Sequence, residues 1–186
     1  MTETDEYILE AIKASVWSGF YSPEDVDQMI DDLLEDDADE AFLRAAIEPE
    51  FEKKAEEEKH WPEETDCDRL DIAFTTLEAQ GILALHNAGY TMSEGHQEAF
   101  EIMQDRGTDS FIAYCFYHGQ DIDRALAGDG LWIAFDHVNG DVPEKIDVGN
   151  TVQSTLKNAG FDVEWDGNIN KRIHITGFDW KRRGHP

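Results

Sequence analysis

The chain repeats one helix-ending pattern four times, and this pattern constrains its fold more than any other feature. An apolar residue, three further residues and a glycine recur at residues 77–81, 103–107, 126–130 and 156–160. Glycine adopts the left-handed backbone conformation that closes a helix without a clash from a Cβ atom. Three of these glycines precede strand-like apolar runs, so the pattern predicts an α/β fold in which helices and strands alternate.

The strand-like runs predict a mixed, mainly parallel sheet of about five strands flanked by helices. The runs lie at residues 82–85, 111–117, 131–135, 161–165 and 172–176. Asp166-Gly167 separates the last two runs, which is typical of a hairpin and makes the final strand antiparallel. Ser93 is expected to cap the helix that precedes the second strand.

Residues 1–60 are predicted to form an acidic helical lobe, and residues 61–186 the α/β domain. Ser22 followed by Pro23 and two acids is a typical helix start. Pro49 is expected to interrupt or kink a later helix. Residues 1–66 hold 23 acids and 5 bases, whereas residues 67–186 hold 19 acids and 10 bases. The N-terminal third is therefore a different kind of segment from the rest.

The formal net charge of −27 limits the partners that this protein can have. Binding to nucleic acid or to an anionic membrane depends on cationic contacts, so we expect neither. No segment resembles a signal peptide or a membrane-spanning helix, and we expect a cytoplasmic protein. A basic protein partner, or simple solubility, suits the charge better.

Polar side chains follow the first three predicted strands and are the candidate ligand-binding residues. In open α/β sheets, ligands bind beyond the carboxyl ends of parallel strands. If these strands are parallel, their polar tips lie together. The candidates are His86, Asn87, His118, Gln120, Asp121, Asp136 and His137.

The same residues have a structural interpretation, as caps and turn residues that bond to local backbone. We expect His86, in a tight Asn-Ala-Gly turn, to be such a residue, and His118, next to Gly119 and Gln120, to have room for a ligand. A three-histidine metal site would need all three tips to be adjacent. We therefore assign no metal and no cofactor.

Four segments of the chain resemble a bacterial family catalogued only as a domain of unknown function. They begin at Trp61 (WPEETDCDRL), Ala84 (ALHNAGYT), Tyr114 (YCFYHGQD) and Val163 (VEWDG). The likeness covers most of residues 61–183. The resemblance implies a bacterial, cytoplasmic protein with a self-contained fold. It does not imply any particular activity.

Two functions remain open at this point. The first is a binding or interaction module for a basic partner, in the manner of antitoxin or immunity proteins, which the acidic N-terminal third favours. The alternative is a small-molecule hydrolase or other enzyme with a site at the C-terminal tips of the strands. The sequence does not indicate an oligomeric state.

Overall fold

The N-terminal helices begin at capping residues that the sequence supplies. The structure, a computed structural model, describes residues 1–106 and 111–184. Its first helices are α1 (Glu3–Ser18), α2 (Pro23–Leu33), α3 (Glu40–Ala45) and α4 (Ile47–Glu58). The Ser22 hydroxyl accepts a bond from the amide of Asp25, whose carboxylate accepts the Ser22 amide in return. The predicted start of the second helix is confirmed.

The interruption predicted at Pro49 lies three residues earlier. The chain turns at Ala46, which ends α3 and precedes α4, and Pro49 is the third residue of α4. The first amides of a helix have no carbonyl partner within it, so a proline at this position removes no helical hydrogen bond. Pro49 is therefore compatible with the helix that it was expected to break.

The chain divides into two compact units. The first comprises Met1–Thr65 with the C-terminal segment that starts at Lys181, and the second comprises Asp66–Trp180. This differs from the predicted division, which placed the C-terminal segment in the α/β domain. Arg183 donates to the Pro62 carbonyl and the Gly184 amide to Glu58, so these bonds hold the segment to the first unit.

The first unit packs its helices around an aliphatic core. The buried side chains of this core repeat at helical spacing along α1 and α2 and recur at the contact between α3 and α4. They are Ile8, Ile12, Val16, Val26, Ile30, Leu43 and Ile47.

The second unit alternates helices and strands as predicted. Its elements are α5 (Asp66–Glu78), β1 (Ile82–Leu85), α6 (Met92–Arg106), β2 (Ala113–Phe116), α7 (Gly119–Leu126), β3 (Leu131–His137), α8 (Val142–Asn158), β4 (Asp162–Glu164) and β5 (Ile173–Thr176). Gly81, Gly130 and Gly160 have positive φ angles after α5, α7 and α8. Gly81 and Gly160 close α5 and α8 as predicted, whereas α7 is closed by Gly128, two residues before the predicted Gly130, and the Asp129 amide donates to the Arg124 carbonyl there. Gly107 lies outside the described residues.

The described strands form one mixed sheet in the order β1-β2-β3-β5-β4. The number of strands is as predicted, but the expectation that the sheet is mainly parallel is wrong. β1 and β2 are parallel, whereas β2 with β3, β3 with β5 and β5 with β4 are antiparallel. The eight-residue helix α7 is followed by two glycines with positive φ, Gly128 and Gly130, and these turn the chain back along β2.

Helices cover both faces of the sheet. A Cβ atom on Gly95 of α6 would lie 2.2 Å from the Phe116 ring, and one on Gly149 of α8 would lie 2.9 Å from the Phe135 ring. Phe135 pairs with Cys115, so Phe116 and Phe135 point to opposite faces. α6 and α8 therefore lie on opposite sides of the sheet.

Helix α6 begins one residue before the predicted cap. Met92 is its first residue, so Thr91 is the capping residue in place of Ser93. The Glu94 carboxylate accepts bonds from the amides of Tyr90 and Thr91 at 2.9 and 2.8 Å. These bonds lower the pKa of Glu94. The sequence contains this capping box as Thr91 followed three residues later by Glu94.

The described helices also bear on whether the chain could cross a membrane. Within residues 1–106 and 111–184, none of them combines the length and the apolar character that a membrane crossing requires.

Candidate functional site

The sheet separates the three strand tips that were expected to lie together. Because β1 and β2 are parallel, His86 and His118 follow strands that end at the same edge of the sheet. β3 runs the other way, so Asp136 lies opposite Tyr114 and His137 opposite Ala113, at the start of β2. The expectation that Asp136 and His137 share an edge with His118 is wrong.

His86 is packed against, and hydrogen-bonded to, side chains that are distant in sequence. Its Nδ1 lies 2.8 Å from the Tyr117 hydroxyl, and its ring centroid lies 4.5 Å from that of Phe74. Its Nε2 lies 3.4 Å from a carboxylate oxygen of Asp71. Asn87, the next residue, adopts a left-handed conformation with φ of 51°. His86 thus has structural partners, but they are side chains of α5 and of the segment after β2, and not the local backbone that the turn interpretation predicted.

His118 lies beneath the surface, beside a buried carboxylate. Its exposed fraction is 1%, and that of Asp121 is 0%. The His118 Nε2 atom lies 3.2 Å from Asp121 Oδ2, while Arg124 and Arg172 donate to Asp121 Oδ1 at 2.9 and 2.7 Å. Asp121 thus binds two guanidinium groups. The expectation that His118 has room for a ligand is wrong.

Burial sets the protonation of His118. Desolvation lowers its pKa, and the positive charge of Arg172 acts in the same direction, whereas Asp121 opposes both. His118 is therefore neutral at neutral pH. Gln120, two residues on, is half-buried in the first turn of α7, and its backbone amide donates to the Tyr90 carbonyl.

The remaining candidates bond to neighbours at the other end of the sheet. The Asp136 carboxylate forms an ion pair of 2.7 Å with Lys145 of α8. His137 Nδ1 accepts the amide of Asn139 at 3.3 Å. Neither contact unites these residues with His86 or His118.

The second unit also contains an open cleft of about 980 Å³, which we call the Trp132 cleft. β3, β4, β5, the loop between β4 and β5, and the helices α7 and α8 contribute to its lining. The lining residues are Arg124, Asp129, Trp132, Gln153, Lys157, Val163, Glu164, Trp165, Asp166, Lys171, Arg172 and His174.

Stacked rings form part of the cleft wall. Trp132 of β3 pairs across the sheet with His174 of β5, and their rings stack at 4.0 Å with an angle of 6° between their planes. The Arg172 guanidinium lies 5.5 Å from the Trp132 ring centroid. His174 Nε2 donates to the Asp129 carbonyl at 3.0 Å, so in the neutral ring Nδ1 is an acceptor. These contacts hold the rings in place.

Sequence reasoning did not find this cleft. A signal was present, since Arg172 and His174 alternate with the apolar Ile173 and Ile175, as on a strand with one buried face. Trp132 lies between Leu131 and Ile133 in the same way. The pairing of β3 with β5 makes Trp132 and His174 neighbours, and that pairing depends on the direction of β3.

The first unit carries a distinct acidic surface, formed by residues 24–40. All ten acidic residues of this segment are exposed. Three of them, Asp27, Asp31 and Glu40, form ion pairs with Arg44. The carboxylates of five others form no hydrogen bond or ion pair within the described part of the chain. These are Glu24, Asp32, Glu35, Asp36 and Asp37.

The acidic side chains do not assemble into a metal site. Across residues 1–106 and 111–184, no three side chains of histidine, cysteine, aspartate or glutamate converge closely enough to hold a metal ion.

The fold defines a mixed α/β protein of two compact units, with an open cleft beside the antiparallel end of its sheet. The chain belongs to the family described as a domain of unknown function (DUF6891), whose profile matches residues 1–184. The predicted membership of a family of unknown function is confirmed. No curated protein and no solved structure matches this chain.

Proposed function

We propose that this protein is an interaction module that binds a basic protein partner through the acidic surface of residues 24–40. The observation that carries this proposal is the set of five exposed carboxylates with no ion pair within the described residues. Their charge is available to a partner. Ion pairing across an interface steers association and sets specificity, more than it sets raw affinity.

An exposed aromatic ring adds an anchor to this surface. Phe42 is 46% exposed on α3, between Glu40 and Arg44. Aromatic side chains dominate the binding energy of many interfaces when polar residues surround them. We infer that the partner presents lysines or arginines around an apolar spot that receives Phe42.

The enzyme alternative has less support. An acid–base site needs a titratable group within reach of a substrate. His86 is bonded to Tyr117, His118 is buried, and His137 is at the other end of the sheet. The candidates therefore do not share one accessible depression.

Affinity enrichment with matched charge variants tests the proposal. The test variant carries Asp32→Asn, Glu35→Gln, Asp36→Asn and Asp37→Asn. The control variant removes four exposed acids elsewhere in the same unit, through Glu52→Gln, Glu57→Gln, Glu63→Gln and Glu64→Gln. Both have the same net charge, so a difference between them reports the position of the charge.

The immobilised whole chain is exposed to a lysate of the cells that produce it, and enriched proteins are quantified. We expect that the original chain and the control variant both retain a basic protein. Purified, it should bind the test variant about tenfold or more weakly. Equal binding by both variants would mean that overall charge alone attracts it, and the proposal would then be wrong.

A further inference from the structure

The Trp132 cleft gathers most of the cations of a unit that is strongly acidic. Residues 66–180 contain 20 acidic side chains and seven lysines and arginines. Four of those seven line the cleft, and they are Arg124, Lys157, Lys171 and Arg172. Three acidic residues, Asp129, Glu164 and Asp166, line the same cleft, so its lining is much less acidic than the unit as a whole.

Two of these cations retain donors that no neighbour uses. Arg172 bonds through Nη1, and its Nε and Nη2 groups form no hydrogen bond with any described residue. Nε and Nη2 together make the fork that binds a carboxylate or a phosphate with two parallel bonds. Lys157 is exposed on α8 and likewise forms no ion pair within residues 1–106 and 111–184. The buried Asp121 fixes the other side of Arg172 and so orients the fork.

The cleft also offers fixed aromatic surface. The Trp165 indole donates to the carbonyls of Asn168 and Lys171 at 3.1 and 3.2 Å, which holds its ring in place. Trp132 is half-buried, and its indole nitrogen forms no hydrogen bond within the described part of the chain. A planar ligand could contact these rings at little cost in side-chain entropy.

We propose that the Trp132 cleft binds a small planar anion, a ring that carries a phosphate or carboxylate group. The Nε and Nη2 groups of Arg172 and the ammonium group of Lys157 bind the anionic group, while Trp132 and Trp165 contact the ring. This site is independent of the acidic surface proposed above to bind a basic protein. A volume of about 980 Å³ is large enough for such a ligand.

The acidic residues of the cleft limit the charge of this ligand. Asp129 and Glu164 line the same cleft, and Asp166 is neutralised by Lys171 at 2.6 Å. A polyphosphate or a nucleic acid strand would meet these carboxylates, and like charges repel. One anionic group on a ring therefore suits the cleft better than a chain of them.

Calorimetric titration of the full chain with four probes tests the proposal. AMP supplies a ring with a phosphate and phthalate a ring with carboxylates, whereas adenosine supplies a ring alone and inorganic phosphate an anion alone. We expect saturable binding of AMP, of phthalate or of both, and which of them binds identifies the anionic group. Adenosine and inorganic phosphate should bind at least about tenfold more weakly than the better ring-bearing anion.

Matched lysine variants test whether the probes bind in the cleft. Lys157→Gln should weaken the better probe by about tenfold, because a charge-assisted bond is lost. Lys13→Gln removes an exposed lysine of α1, which also forms no ion pair with a described residue, and should leave the affinity unchanged. Trp132→Phe should lower the affinity for the ring-bearing probes and leave the affinity for inorganic phosphate unchanged.

Three results would overturn the proposal. The first is the absence of saturable heat for both ring-bearing anions. The second is an equal effect of Lys157→Gln and Lys13→Gln, and the third is inorganic phosphate that binds as tightly as AMP and phthalate. None of these results bears on the acidic surface, because its variants lie in residues 24–40.

Discussion

Asp121 is the residue on which the arrangement beside the Trp132 cleft depends most. Its buried carboxylate contacts His118 and Arg124 of the same chain segment and Arg172, the residue before β5. It thereby joins α7 to the loop that leads into β5 and holds the guanidinium group that lines the cleft. A carboxylate with 0% exposure is stable only because cations and backbone donors surround it.

Replacing this carboxylate should destabilise the protein. We expect Asp121→Asn to lower the free energy of unfolding by about 2–4 kcal/mol, because two arginines then lose their counter-ion. Asp123→Asn is the control, since the Asp123 carboxylate accepts a bond from the partly exposed Tyr90 hydroxyl. Denaturant unfolding measures both. A loss below about 0.5 kcal/mol for Asp121→Asn would contradict this interpretation.

His118 should make stability depend on pH in a defined range. Burial lowers its pKa in the folded state below that of the unfolded chain, where the value is about 6.5. Between these two values the unfolded chain binds more protons, so stability is full above the unfolded pKa and falls as the pH drops toward the folded value.

A substitution separates this contribution from that of the carboxylates, which titrate at lower pH. We expect the difference in unfolding free energy between pH 7 and pH 5.5 to be smaller in His118→Gln than in the original protein. Unfolding in denaturant at the two pH values measures it. An unchanged difference would mean that His118 is not the group responsible.

Residue types alone predicted the candidates but not their contacts. His86 could be recognised as a turn residue from the Asn-Ala-Gly sequence that follows it. The burial of His118 could not be predicted, because its partner Arg172 is 54 residues away in sequence. The cleft was missed for the same reason, since Trp132 and His174 meet only through the pairing of β3 with β5.

At the scale of elements, local signals predicted the helix ends and starts, because caps are formed by residues close in sequence. Helix α6 is the instructive exception. Thr91 and Ser93 are both capping residue types, and the decision between them depends on Glu94, which reaches back to the amides of Tyr90 and Thr91. The reciprocal pair at Thr91 therefore sets the start of the helix.

This choice is testable with two conservative variants. Thr91→Ala should lower the free energy of unfolding by about 1 kcal/mol, because the cap is lost. Ser93→Ala, inside the helix and exposed, should change it by less than about 0.5 kcal/mol. Thermal or denaturant unfolding compares them. A larger loss for Ser93→Ala would show that Ser93 is the cap.

The direction of β3 could not be predicted from local signals. The sequence shows a strand, a helix and a strand, which is the pattern of a parallel crossover. α7 is only eight residues, about 12 Å long, and the glycines at 128 and 130 reverse the chain after it. The alternation of helices and strands could thus be predicted from the sequence. The direction of β3 could not, because it depends on the geometry of one short connection.

At the scale of the whole molecule, the excess of acidic residues is the dominant feature. A net charge of −27 repels itself in the folded state, and salt screens this repulsion over about 10 Å at 0.1 M. Ion pairs such as those of Arg44 relieve it locally. Most of the carboxylates in residues 24–40 form no such ion pair, so their mutual repulsion is not relieved in this way.

Stability should therefore rise with salt. We expect the midpoint of thermal unfolding to increase between low and moderate sodium chloride, as screening weakens the repulsion. Potassium chloride serves as a control, because screening depends on ionic strength and not on the identity of the cation. A flat or falling trend would mean that local ion pairs already balance the charge.

The arrangement of both candidate sites depends on the direction of β3, which runs antiparallel to β2 and to β5. This direction removes Asp136 and His137 from the edge of His118 and places Trp132 beside His174. Opposite residues of an antiparallel pair alternate between two spacings, so one of two successive pairs brings its Hα atoms close together. Parallel strands lack such contacts.

Nuclear Overhauser spectroscopy on the full chain measures this directly. We expect a strong Hα–Hα cross-peak in one of the two pairs Tyr114–Asp136 and Cys115–Phe135, which lie opposite each other in β2 and β3. We likewise expect one in either Trp132–His174 or Ile133–Ile173. The absence of Hα–Hα cross-peaks between β2 and β3 would contradict the antiparallel direction and the separation of the strand tips that depends on it.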